Sequence, residues 1–230
     1  MKRVLAIITA VAITAAATAA LATIKNTKHD LSTTHTGQTG GSNQICIYCH
    51  TPHNAAPAIP LWNRTNPTAT PFKFYSSPSM KLHRPVANTS TFESTSISLF
   101  CMSCHDGGAI GGRVLSTGGT ALVGNTTGSS TMPALTGDVI TTGSAGLLGT
   151  DLSNDHPVNL QMLAGTAGLY DPSANTIGNG LTTKLSLFKG TLGNNYIECG
   201  SCHAVHDASQ GKFLRTSNAN SKICLACHNK

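Results

Sequence analysis

All 8 cysteines of the chain fall in one of four short units of the same form. The units are Cys46-Ile-Tyr-Cys49-His50, Cys101-Met-Ser-Cys104-His105, Cys199-Gly-Ser-Cys202-His203 and Cys224-Leu-Ala-Cys227-His228. Two thiols at this spacing can add across a pair of porphyrin vinyl groups. The imidazole that follows can bind the iron, so the unit is an attachment site for haem c. Zinc, iron–sulfur clusters and disulfides also use paired cysteines. None of them needs a histidine directly after the second cysteine, and here one stands there in every unit. The sequence thus predicts four covalently bound haems c. Cys46, Cys49, Cys101, Cys104, Cys199, Cys202, Cys224 and Cys227 would carry the thioethers, and His50, His105, His203 and His228 would be the proximal ligands. The chemistry this implies is electron transfer.

Each iron has a sixth position, and the remaining histidines are His29, His35, His53, His83, His156 and His206. His53 and His206 each stand three residues after a motif histidine. At that offset a ring cannot reach the far face of its own haem, but it can reach the iron of a closely stacked neighbour. His156, in Asn154-Asp155-His156-Pro157, is held extended by the proline after it, and Asp155 or a nearby carbonyl can fix its tautomer. For the last position His29 leads, with His35 and His83 as alternatives. Methionine is the other common sixth ligand. Met80, Met102, Met132 and Met162 are available, but the surplus of histidines favours bis-His ligation, which leaves no open site for a substrate.

The elements that present these groups must be short. Residues 204–223 are too few to separate the last two haems widely. Residues 106–198 hold most of the 23 glycines, with Thr/Ser/Gly runs such as Gly124 to Thr131. Apolar residues recur there (Val114, Leu115, Leu122, Val123, Val139, Ile140), which predicts short strands and turns. The expected fold is mostly irregular and organised by haem, with short helices at the CxxCH sites and minor β structure in the Gly/Thr-rich middle. Residues 23–108 carry haem sites 1 and 2, 109–198 a distal histidine, and 199–230 haem sites 3 and 4. Charged residues make up 10% and aromatics 5%, so porphyrins must supply apolar bulk that the side chains lack.

Residues 1–22 read as a secretory signal. Lys2 and Arg3 precede an alanine-rich apolar stretch ending in Ala20-Leu21-Ala22. An uncleaved anchor is the alternative, but Thr9, Thr14 and Thr18 interrupt the run, and nothing later is apolar enough to span a bilayer. The predicted location is secreted, extracellular or at the cell surface, with the periplasm as the alternative. The formal charge of +6 loses Lys2 and Arg3 on cleavage, and haem propionates offset the rest. A nucleic-acid partner is therefore not expected. The glycine pairs at 111–112 and 118–119 lack the spacing of a nucleotide-binding loop.

Several blocks resemble one known group. Residues 199–207 (CGSCHAVHD), Phe213-Leu-Arg215 and residues 221–228 (SKICLACH) are similar to the doubled-CXXCH pattern. With Lys28-His-Asp-Leu-Ser32, residues 46–54 (CIYCHTPHN), Leu61-Trp-Asn-Arg64, Cys104-His-Asp-Gly-Gly108 and Asp155-His-Pro-Val158, the chain resembles the OmcE-type tetrahaem cytochromes. That resemblance implies His29, His53, His156 and His206 as distal ligands and a head-to-tail extracellular filament made of copies of the chain. It also implies a distal histidine crossing between protomers; His29, near the mature N-terminus, is the leading expectation, and the alternatives are that His83 or His35 crosses or that His29 folds back onto its own protomer. A soluble periplasmic shuttle between redox proteins is the alternative. A reductase is the weakest reading, because every motif ends in histidine and distal candidates are in excess.

Overall fold

The computed structural model describes residues 24–36, 42–51, 61–67, 71–82, 90–108, 140, 143–179 and 184–229. The expected signal segment, His53, His83, Met132 and the stretch 109–139 lie outside them. Most of the described backbone is turn, bend and coil. Four short helices punctuate it: α1 (Thr33–Thr36), α2 (Ser98–His105), α3 (Cys199–Cys202) and α4 (Lys222–Leu225). A 3-10 turn spans Cys46–Tyr48. All but α1 carry part of a CxxCH unit, because a helical turn places positions i, i+3 and i+4 on one side.

The strands are equally brief. β1 (Lys73–Phe74) pairs in parallel with β2 (Asp151–Leu152). β3 (Leu160–Gln161), β7 (Gly193–Ile197) and β6 (Phe188–Gly190) form an antiparallel sheet in the order β3-β7-β6. β4 (Thr176–Gly178) and β5 (Lys184–Ser186) pair as a separate ribbon. Among the described residues of the middle region the β structure lies at 151–197. In β6 a glycine is required: a Cβ on Gly190 would lie 2.6 Å from the ring of Tyr196, which is fully buried.

The apolar interior is divided among three small clusters, and each includes residues from inside a haem motif. Ala226 and Cys227 pack with Leu160, Met162, Ile177, Leu185 and Leu187. Met102 packs with Phe72, Phe74, Phe92, Leu99 and Leu152, while Ile47 and Tyr48 form the third cluster. The two residues between the cysteines thus anchor each motif in protein, most clearly Ile47 and Tyr48, Met102 and Ser103, Ser201, and Ala226. The thiols differ in exposure: Cys46 and Cys224 are exposed, while Cys227 is buried in the first cluster.

Candidate haem centre

The motifs are fixed by one backbone device used repeatedly. The carbonyl of the second cysteine accepts an N–H from a distant segment: Asn63 to Cys49 at 2.9 Å, Arg215 to Cys202 at 2.9 Å and Tyr170 to Cys227 at 2.9 Å. Next to each contact the motif histidine makes an isolated β-bridge, His50 with Trp62, His203 with Leu214 and His228 with Leu169. In the second motif the carbonyl of His105 does the equivalent work, accepting from Leu148 and Gly149 at 3.0 Å each.

Side chains then set the rings. Nδ1 of His105 lies 2.5 Å from the Gly146 carbonyl, Nδ1 of His203 lies 3.0 Å from that of Lys212, and Nδ1 of His156 lies 3.0 Å from that of Pro157. Donation of Nδ1–H to a carbonyl leaves Nε2 as the free lone pair, the tautomer that binds iron. Trp62 packs edge-on against His50, with ring centres 5.9 Å apart. Phe213 stacks on His29 at 4.3 Å.

Three histidine pairs result. Ring centres are 6.2 Å apart for His29 and His105, 6.0 Å for His50 and His206, and 6.4 Å for His156 and His228. Two imidazoles bound to opposite faces of one metal, each at about 2 Å, put their ring centres roughly 6 Å apart. Each pair joins a motif histidine to one of the histidines proposed from sequence as distal. His206 faces His50 rather than its near neighbour His203, as the three-residue offset requires. His53 lies outside the described residues, and His35 is exposed on α1. A cavity of about 410 Å³ opens between His156 and His228, lined also by Met80, Leu82, Leu160, Met162 and Cys227. Its lining is largely apolar, with Lys81, Ser79 and Thr166 as polar exceptions, and its place between two imidazoles suits a porphyrin.

Within the chain His29 faces His105, and the segment around it is tied down by its own hydrogen bonds. Asp30 is buried and accepts hydrogen bonds from Asn26 N, Ser32 N and Ser32 Oγ. Burial pushes its carboxyl up, but the Ser32 and Asn26 hydrogen bonds outweigh this and hold it below its usual value. Burial also pulls His29 down to about 4, helped by the charge of His105. The Val205 carbonyl opposes the shift without making a well-formed bond to the buried Nδ1. A buried, neutral imidazole facing a second imidazole fits an axial ligand.

The thiols form a succession of neighbours. Burial and then Cys104 push Cys49 up to about 12. Cys101 and Cys199 share a hydrogen bond that, as the largest cause for each, raises Cys101 and lowers Cys199. Burial, then Cys202 and Cys224, push Cys227 up to about 12. The first motif therefore adjoins the second, the second the third, and the third the fourth. No disulfide joins any of the eight cysteines. The neighbouring thiols, the facing imidazoles and the cavity beside His228 fit haem c.

A family model, the doubled CXXCH motif, matches residues 194–230, which contain the third and fourth units. The match supports a multihaem c-type cytochrome. Comparison with curated proteins finds no match. The cytochrome's cofactor is covalently bound haem c and its chemistry is electron transfer. Among its described residues no helix is long and apolar enough to cross a membrane.

Sequence reasoning missed the groups that aim the ligands. The carbonyls of Gly146 and Lys212 have no side-chain signature. Phe213 and Arg64 appeared only as parts of resembling blocks.

Proposed function

We propose that the cytochrome binds four bis-His haems and conducts electrons along them as the protomer of an extracellular filament. One observation carries this reading: three imidazole pairs stand at iron-bridging separation while the thiols of successive motifs adjoin one another. When bound, each haem supplies a one-electron iron couple. The chain's own residues hold the irons through His29/His105, His50/His206 and His156/His228. They fix the tautomers through backbone carbonyls and exclude water with the three apolar clusters. Because His206 serves the His50 site, His53 is the matching candidate for the His203 site, an exchange of ligands between two stacked haems. Filament assembly is supported by the resemblance of residues 28–108 and 155–228 to OmcE-type cytochromes. The partners would be copies of the chain and, at the ends, other redox proteins or extracellular acceptors.

Negative-stain microscopy of the secreted native protein tests the assembly. Unbranched filaments of constant width are expected, whereas dispersed monomers at all concentrations would favour the periplasmic shuttle. The reduced filament should bind carbon monoxide weakly, and tight binding at one haem would favour a reductase.

A further inference from the structure

Arg64 is 1% exposed, the largest fully buried side chain described. Its Nε donates to Ser103 Oγ at 3.0 Å, one terminal nitrogen to the Ser103 carbonyl at 3.2 Å and the other to the Tyr48 carbonyl at 3.4 Å. All three acceptors are neutral. Among the described residues the only ion pair is Lys73 with Asp151, so no described carboxylate pairs with this guanidinium. A buried cation without a counter-charge is costly and is not needed merely to join two loops. Its placement is specific. Tyr48 lies between Cys46 and Cys49, and Ser103 between Cys101 and Cys104.

We propose that Arg64 is a potential-setting residue, whose unneutralised charge between the first two attachment loops raises the reduction potentials of the two haems held there. The inference rests on the haem-binding reading above. A ferric bis-His centre carries one more positive charge than the ferrous one, so a nearby fixed cation favours uptake of the electron. The two loops would hold each porphyrin through thioethers at its vinyl edge, opposite the edge that carries the propionates, so the haems' own carboxylates would be poorly placed to cancel the charge. At an effective dielectric of ~20, a unit charge about 10 Å from an iron changes its affinity for an electron on the order of tenfold. The first two haems would thus be favoured resting places for electrons relative to the last two.

The test is spectroelectrochemical titration of the haem-loaded Arg64→Gln and Arg64→Lys variants beside the parent protein. Haem content by mass and the low-spin absorption spectrum are recorded for each, so a failure of the haem-binding reading would appear in the parent itself. Arg64→Gln with full haem content should lower two of the potentials by about tenfold in electron affinity each, ~59 mV for a one-electron couple, and leave the other two in place. Arg64→Lys keeps the charge while losing the forked hydrogen bonds, so it should melt earlier yet hold all potentials. A fully loaded Arg64→Gln variant with unchanged potentials would overturn the proposal. If Arg64→Gln loads incompletely, the lysine variant decides: unchanged potentials support the role of charge, and two potentials lowered by about tenfold overturn it.

Discussion

Replacing Glu198 with glutamine should remove a pH dependence of stability that the parent protein carries between about pH 4.5 and 7. Glu198 is 2% exposed and directly precedes α3, where its backbone N–H donates to Ser201 Oγ at 3.0 Å. Its carboxylate accepts from Ser96 Oγ at 2.8 Å and from Ser98 Oγ. Burial pushes its carboxyl up from 4.5 to about 7. The two serine hydroxyls oppose that shift, while the neighbouring Glu93 adds to it. A raised acid binds its proton more tightly in the folded state. Between these two values the unfolded chain therefore holds fewer protons, and stability falls as pH rises. The rise from 4.5 to about 7 corresponds to at most about 3–4 kcal/mol. For a chain of this size that is roughly 7–14 °C in Tm. Glutamine keeps the carbonyl acceptor and loses the titration. Melting curves of the haem-loaded parent and Glu198→Gln at intervals from pH 4 to 8 should nearly coincide at the acid end. The variant should be the more stable at pH 8. Parallel profiles across the range would refute the assignment of a raised acid to Glu198. Asp151 and Asp207, both held low first of all by serine hydroxyls, affect parent and variant alike and drop out of the difference.

Two further predictions concern packing and ligation. Gly190→Ala sets a methyl group against the Tyr196 ring, whose hydroxyl also accepts from Leu192 N at 3.3 Å. It should destabilise the protein by about 1–3 kcal/mol in a thermal melt, with the haem spectrum unchanged in the folded state. His206→Met should raise the potential of the haem on Cys46 and Cys49, with the haem on Cys199 and Cys202 still attached. A titration that assigns the raised potential to the His203 iron would contradict the His50–His206 pairing.

What the sequence disclosed and what it hid follow from the range of the chemistry. Thioether attachment needs two cysteines and a histidine within five residues, so the motifs are visible in the chain itself. The offset from His203 to His206 carried information about stacking because it is a steric exclusion, and the structure sets His206 against His50. The mostly irregular fold with brief helices at the motifs followed from the spacing and from the glycine-rich middle. The packing around His29 did not, because it depends on Asp30 closing a turn through Asn26 and Ser32 and on Phe213, far along the chain. Nor did the burial of Arg64 and Glu198, since a charged side chain in sequence reads as surface. Both are held by serines in or beside helices that carry other motifs.

The central claim is that facing imidazoles mark the irons, and an anomalous-scattering map at the iron edge from crystals of the haem-loaded protein tests it most directly. The account predicts four iron peaks. One lies midway between His29 and His105, one between His50 and His206, one between His156 and His228, and the fourth against Nε2 of His203. An iron bound by a different pair of these histidines, or any of the three pairs with no iron between its rings, would contradict it.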